Sequence, residues 1–187
     1  MKNIAIFASG NGSNFEAIAK AVINKEIDAK LCFLFCDKKN AFALERAKKL
    51  GIKAYQFSLK DFNSKVEYEE EIVKLLDEYK IDFVFLAGYM KICGPTLLEK
   101  YENKIINIHP ALLPSFKGAH GILDAYNYGV KVFGVTIHYV DGNVDTGKII
   151  AQGIIDYVDG DTLEVVEEKI HKLEHKLYIK TIKELVE

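Results

Sequence analysis

A large excess of charge of either sign is missing from this sequence: Lys and Arg number 25 against 27 Asp and Glu, so no global field draws the chain to nucleic acid or to an anionic membrane. An acidic small ligand would need a local site. Long hydrophobic runs are missing too. The longest, Phe83 to Met90, falls far short of the roughly 20 residues that cross a bilayer. The apolar part of the opening M-K-N-I-A-I-F-A-S-G is too short for a signal peptide and meets a glycine turn at once, so a cytoplasmic chain is expected. Cysteine is scarce and odd in number: Cys32, Cys36 and Cys93 read as reduced thiols. A spacing of four in one strand sets Cys32 and Cys36 roughly 13 Å apart, so neither a disulfide nor a shared metal follows. No Ser stands in a G-x-S-x-G elbow, which removes that route to a serine nucleophile. Repeats, linkers and low-complexity segments are absent, and 187 residues suit one domain with a substantial core.

What is present alternates. Asn3 to Ala8 is an apolar strand, S-G-N-G-S-N follows, and then Phe15, Ile18, Ala19, Val22 and Ile23 recur at helical spacing, with Ser13 and Glu16 as a capping box. Leu31 to Cys36 is a second strand, before a helix from about Ala41 to Leu50 that Gly51 ends. A short strand, Ala54 to Phe57, precedes a helix from about Lys65 to Tyr79 with Val66, Ile72, Leu75 and Leu76 inward. Phe83 to Leu86 is almost wholly apolar and should be central. The fold class is α/β, a doubly wound and mostly parallel sheet. After the strand holding Asn107 and His109 the rhythm breaks. Pro110 to His120 reads as a loop and Leu123 to Tyr128 as a short helix. Val132 to Val140 alternates, with Thr136 and His138 on one face, and pairs with Lys148 to Tyr157 as an antiparallel strand addition. Asp161 and Glu164 cap a last helix whose stripe is Leu163, Val166, Ile170, Leu173, Leu177 and Leu185.

The chain turns on I-I-N-I-H-P-A-L-L-P-S-F-K-G, residues 105 to 118. Side chains two apart on a strand share a face, so Asn107 and His109 look into one space. Pro110 stops the strand there, leaving both polar groups at its carboxyl end, where open α/β sheets bind ligands. An Asn and a His in a buried strand can also merely satisfy each other. The turn Gly10-Asn11-Gly12-Ser13-Asn14 offers backbone N–H groups and a helix start, both suited to a phosphate. A dinucleotide fingerprint wants a small residue where Phe15 stands, so one phosphate monoester is favoured over a pyrophosphate, although Asp37 has the place of a ribose acid. In V-D-G-N-V-D-T-G, Asp141 and Asp145 are ordinary turn residues unless Asp145 folds back on His109, where a carboxylate would favour the imidazolium. His171 to His175 spells H-x-x-E-H, but a further zinc ligand has little chain left to come from, and no metal is expected. His120 and His138 read as loop and packing residues.

Taken together, N-I-A-I-F-A-S-G-N-G-S-N-F, L-A-G-Y-M-K-I-C, I-N-I-H-P-A-L-L-P-S-F-K-G-A-H, G-V-T-I-H-Y-V-D-G-N-V-D-T-G-K-I-I and the fainter K-L-E-H-K-L-Y resemble the folate-dependent formyltransferases, in order and over nearly the whole chain. The resemblance implies a Rossmann-like formyltransferase fold in one domain over 1–187, with a phosphate-binding half to about residue 100 and a folate-binding, catalytic half from about residue 85. It implies 10-formyltetrahydrofolate as cosubstrate and glycinamide ribonucleotide of purine synthesis as acceptor, with no metal, nucleic acid or membrane, acting as a monomer or homodimer. Asn107, His109 and Asp145 look like the family's catalytic trio. Gly12, Ser13, Asn14 and Glu174 look like acceptor contacts. Lys65, Met90, Lys91, Ile92 and Cys93, with Asn107, look like folate contacts. Lys at 65 where Arg is frequent keeps the charge but loses the planar fork. Relatives acting on initiator tRNA carry an added RNA-binding domain and a related hydrolase an amino-terminal one, neither expected here. The competing class is a nucleotide binder holding NAD at Gly10, Gly12 and Asp37.

Overall fold

A computed structural model describes residues 1–187. Its strands are β1 (Lys2–Ala8), β2 (Ala29–Cys36), β3 (Ala54–Gln56), β4 (Phe83–Leu86), β5 (Ile105–His109), β6 (Gly134–Tyr139) and β7 (Ile149–Ile154). They form one sheet in the order β3-β2-β1-β4-β5-β6-β7, parallel through β5 and antiparallel at β6 and β7. Ile4 to Ala8 in β1 and Val84 and Phe85 in β4 are fully buried, as a parallel strand covered on both faces requires.

The helices are α1 (Ser13–Ile23), α2 (Phe42–Leu50), α3 (Lys65–Glu78), α4 (Pro95–Lys100), α5 (Gly121–Tyr128) and α6 (Leu163–Val186). Phe15, Ile18, Ala43, Ala47, Val166, Ile170 and Ile182 pack with Ile6, Ile106 and Ile108 on one side of the sheet. Tyr68, Ile72, Leu76 and Leu97 pack with Phe7, Phe35 and Val84 on the other. So α1, α2, α5 and α6 cover one face, and α3 and α4 the other. The doubly wound α/β sheet with an antiparallel addition is the one the alternation predicts.

Several local expectations needed correction. Ser13 is the first residue of α1 and caps nothing; the N-cap is Gly12 in the left-handed region at φ 77, and Glu16 pairs instead with Lys20 and Arg46. Val66 is exposed, because Tyr68 and Glu69 complete the buried face with Ile72, Leu75 and Leu76. Thr162, not Asp161 with Glu164, caps α6 by accepting from the Val165 N–H. The leucines of α6 are half-buried, and its innermost line is Val166, Ile170, Glu174, Tyr178 and Ile182. Helix α4 and a 3-10 turn at Leu59–Asp61 were not expected; six and three residues are too short for a period to register. The Leu113–Pro114 bond is cis.

Tyr178 fixes the height of α6. Its hydroxyl, fully buried, lies 3.0 Å from both the Leu86 and the Ile106 carbonyl oxygens, on β4 and β5. Tyr178→Phe removes the donor for two buried acceptors, and we expect a loss of about 1–3 kcal/mol in unfolding free energy. Urea denaturation checks it, and an unchanged midpoint would contradict the anchoring role.

Candidate active site

The carboxyl ends of β1, β4 and β5 open into a cavity of about 560 Å³. This is the end of a doubly wound sheet where ligands collect. Asn107 and His109 line it from β5, and Asp141 and Asp145 from the turn after β6. Gly12, Ser13 and Asn14 line it from the start of α1, Met90 to Cys93 from the segment after β4, and His171 and Glu174 from α6.

The strand pattern explains the polar cluster. Ile106 and Ile108 bury on the α6 side of the sheet, which turns Asn107 and His109 to the other face. In the antiparallel β5–β6 pair Asn107 stands opposite His138, and the Asn107 amide nitrogen is 3.2 Å from His138 Nε2. His138 Nδ1–H donates to the Tyr139 carbonyl at 2.8 Å, which leaves Nε2 as the nitrogen that faces both Asn107 and Asp145. The second Asn107 N–H remains. His109 Nε2–H donates to the Phe116 carbonyl at 2.7 Å, and its Nδ1 lies 3.4 Å from Asp145 Oδ2. A neutral ring in that tautomer would set a lone pair against a carboxylate, whereas an imidazolium donates to both.

Asp145 does fold back. Its backbone is left-handed at φ 51, a conformation that a non-glycine residue adopts only when its surroundings hold it there. The surroundings are visible: the Gly118 N–H donates to Oδ2 at 2.8 Å, and Oδ1 is 3.5 Å from His138 Nε2. Burial works to raise the Asp145 carboxyl, but the His138 and Gly118 hydrogen bonds and the charge of His109 outweigh it, holding the group below the usual carboxylate range.

On the opposite wall Glu174 is buried and accepts from His171 Nδ1 at 2.8 Å, a bond that pushes the His171 imidazole up. Asn14 Oδ1 is buried and has no partner in the protein, an acceptor left over inside the cavity wall. The Met90 and Ile92 side chains are exposed at the cleft rim, an apolar landing for a flat ligand. Cys93 is buried and its thiol is pushed up to about 12 by that burial, so it packs and does not react. Lys65 does not line the cavity; it lies 3.9 Å from Glu69.

Two residues were missed in the sequence. His138 is a packing residue by its sequence, because alternation shows which face it takes but not which residue it will stand opposite. Glu69 sits in an acidic run that reads as a solvated face, yet it is buried, and its carboxylate accepts from the Gly94 N–H at 2.5 Å and the Leu97 N–H at 3.4 Å. Its place one turn before Ile72 was the available signal. Asp37, the candidate ribose acid, is buried and takes the Ser9 hydroxyl at 2.5 Å, and Phe15 fills the core. His171, Glu174 and His175 belong to no cluster of three or more potential ligands set to hold a metal ion.

Since the folded state depresses the Asp145 carboxyl, its contribution to stability is present above the unfolded value of about 3.9 and is lost as pH falls through the folded value. The stability difference between wild type and Asp145→Asn should therefore shrink as pH falls below about 4. Urea titrations at several pH values measure it; a constant difference would contradict the bonding described.

The family described as formyl transferase matches residues 2–182. A phosphoribosylglycinamide formyltransferase of Bacillus subtilis (strain 168) is 48% identical over 186 residues, 100% of this chain and 95% of that protein. The human trifunctional purine biosynthetic protein adenosine-3 is 35% identical over 175 residues, which are 94% of this chain and 17% of that one. Among solved structures, phosphoribosylglycinamide formyltransferase from Streptococcus pneumoniae TIGR4 superposes with a TM-score of 0.93 at 52% identity, covering 100% of both chains. Glycinamide ribonucleotide transformylase 1 from Geobacillus kaustophilus does so at 0.96 and 46%, again covering 100% of both. Matched in sequence from residue 2 to residue 182 and in fold along its whole length, the chain belongs to the formyl transferase family of enzymes.

Proposed function

We propose that this enzyme moves the formyl group of 10-formyltetrahydrofolate onto the primary amine of glycinamide ribonucleotide, a step of de novo purine (IMP) synthesis in the cytoplasm. The observation that carries the reading is one cavity holding, at the end of β5, Asn107 against His138 and His109 against Asp145, with a glycine turn at the start of α1 in the same wall. Only β4 separates the two strands.

The amine attacks the formyl carbon and a C–N bond forms as the carbonyl becomes an oxyanion. Collapse breaks the bond to the folate nitrogen, which leaves with a proton. The free N–H of Asn107 and the charge of His109 stabilise the oxyanion. Asp145 sustains the imidazolium and, directly or through water, takes the proton from the amine. Gly12, Ser13 and Asn14 take the acceptor's phosphate, and Glu174 the acceptor itself. The folate lies against Leu86 and the segment Met90, Lys91, Ile92 and Cys93, beside Asn107. Lys65, which pairs with Glu69 at 3.9 Å and does not line the cavity, would have to leave that carboxylate to reach the folate.

Mixing the two substrates and following folate absorbance tests the reaction, and silence from protein that both ligands stabilise against heat would send the assignment to another acceptor. His109→Ala and Asp145→Ala should each keep the fold and lower kcat roughly 10²–10³-fold, the usual loss for one oxyanion group. Wild-type rates in either variant would refute these roles. Ser13→Asp should raise KM for the phosphorylated acceptor far more than KM for the folate, by like-charge repulsion; equal effects would remove the cradle assignment.

A further inference from the structure

Arg46 is the only arginine in the sequence, and it does not line the cavity. It reaches from α2 to the outer side of the glycine turn. Its Nε donates to the Asn11 carbonyl and its Nη2 to the Asn11 side-chain oxygen, each at 2.9 Å, while Nη1 pairs with Glu16 on α1. The guanidinium carbon lies 4.8 Å from the centre of the Phe42 ring, a cation–π contact that adds to the hydrogen bonds.

Two neighbouring contacts act on the same turn. The Ala43 N–H donates to the Gly10 carbonyl at 3.1 Å. A Cβ on Gly12 would lie 2.6 Å from the Ala43 Cβ, so α2 is seated against the turn with no room for a side chain between them.

The consequence follows from peptide geometry. In a trans peptide the carbonyl of one residue and the N–H of the next point in opposite directions. Ala43 holds the Gly10 carbonyl toward α2, which turns the Asn11 N–H away from it. Arg46 holds the Asn11 carbonyl toward α2, which turns the Gly12 N–H away from it. Both N–H groups lack an acceptor in the protein, and both residues line the substrate cavity, to which α2 contributes nothing. Two successive amide donors facing a cavity at a helix start make an anion cradle.

We propose that Arg46 is a positioning residue for the acceptor's phosphate: without touching the ligand, it fixes Asn11 so that the amides of the glycine turn face the phosphate. The identity of the acceptor rests on the function proposed above. A surface ion pair with Glu16 alone would contribute little to anything. The forked grip on one residue's carbonyl and side chain is what lysine cannot reproduce.

The test compares wild type, Arg46→Lys, Arg46→Ala and Glu16→Gln with glycinamide ribonucleotide and with its dephosphorylated riboside as acceptors. We expect both Arg46 variants to raise KM for the ribonucleotide about tenfold or more, for the loss of two charge-assisted bonds. KM for 10-formyltetrahydrofolate and kcat/KM for the riboside should stay within about twofold. Glu16→Gln, which keeps the grip on Asn11, should behave as wild type. Wild-type behaviour in Arg46→Lys would reduce the role to charge, and an equal loss on both acceptors, or the same loss in Glu16→Gln, would reduce it to scaffolding; each overturns the proposal. If wild type transfers nothing to the ribonucleotide, the acceptor assignment fails on its own. Thermal stabilisation by inorganic phosphate then reads the Arg46 proposal, which holds if wild type is stabilised and Arg46→Lys is not, and falls if they respond alike.

Discussion

Strand β6 runs against β5 with Asn107 opposite His138, and from that register the polar cluster assembles in two strokes. The cross-strand pair comes first, since residues directly opposite on one face are within side-chain reach whatever the loops do. The turn after β6 then leaves the sheet near the amino end of β5 and folds back toward its carboxyl end, bringing Asp145 to His109. A parallel β6 would have needed a crossover connection in place of a short return. The family's chemistry, on our reading, is lodged at the one place where a parallel sheet changes direction.

A polar cluster in an apolar strand carries a cost, and the way it is met is specific. Both histidine rings have one nitrogen assigned by a backbone carbonyl, Tyr139 for His138 and Phe116 for His109, so each ring's second nitrogen has a fixed role toward Asn107 or Asp145. Phe116 and Asp145, on the two segments that clasp His109, are both in the left-handed region at φ 53 and φ 51. Such positions cost on the order of 1–3 kcal/mol each, and the apolar sheet beneath, with Ile106 and Ile108 buried under the same strand, supplies the stability to hold them.

What the sequence disclosed and what it hid divide along physical lines. The alternation of strand and helix, the apolar β4 and the polar face of β5 are periodic features, and periodicity is local. The same holds for the antiparallel addition, whose D-G-N-V-D-T-G turn sits between two alternating runs. Register is not local: His138 was on the right face, and nothing in the chain said it would meet Asn107. Asp145 was legible only as a turn residue, because a fold-back depends on Gly118, 27 positions away, offering its N–H. The capping box at Ser13 and Glu16 had the right letters, but Arg46 outbid the helix terminus for the Glu16 carboxylate while Gly12 took up the space against Ala43. Glu69 was hidden among its acidic neighbours for a related reason, since its partners are the amides of a helix too short to be seen coming. The resemblance to the formyltransferases set Asp145 beside His109, which spacing could not, and the carboxylate lies 3.4 Å from that ring.

The walls of the cavity come from distant parts of the chain, and single side chains tie them into one frame. Ser9, at the end of β1, takes the Met90 N–H at 2.9 Å and gives its own proton to Asp37, so the segment after β4 is tethered to the root of the glycine turn. Glu174 and Tyr178 lie one helical turn apart on the buried line of α6. Tyr178 fastens that line to the last carbonyl of β4 and to β5, and so sets how high Glu174 stands above the carboxyl ends of the strands. A buried acid without that anchor would be free to retreat to solvent, where its desolvation cost vanishes. With it, the acid is held in the wall of the cavity that the start of α1 also lines.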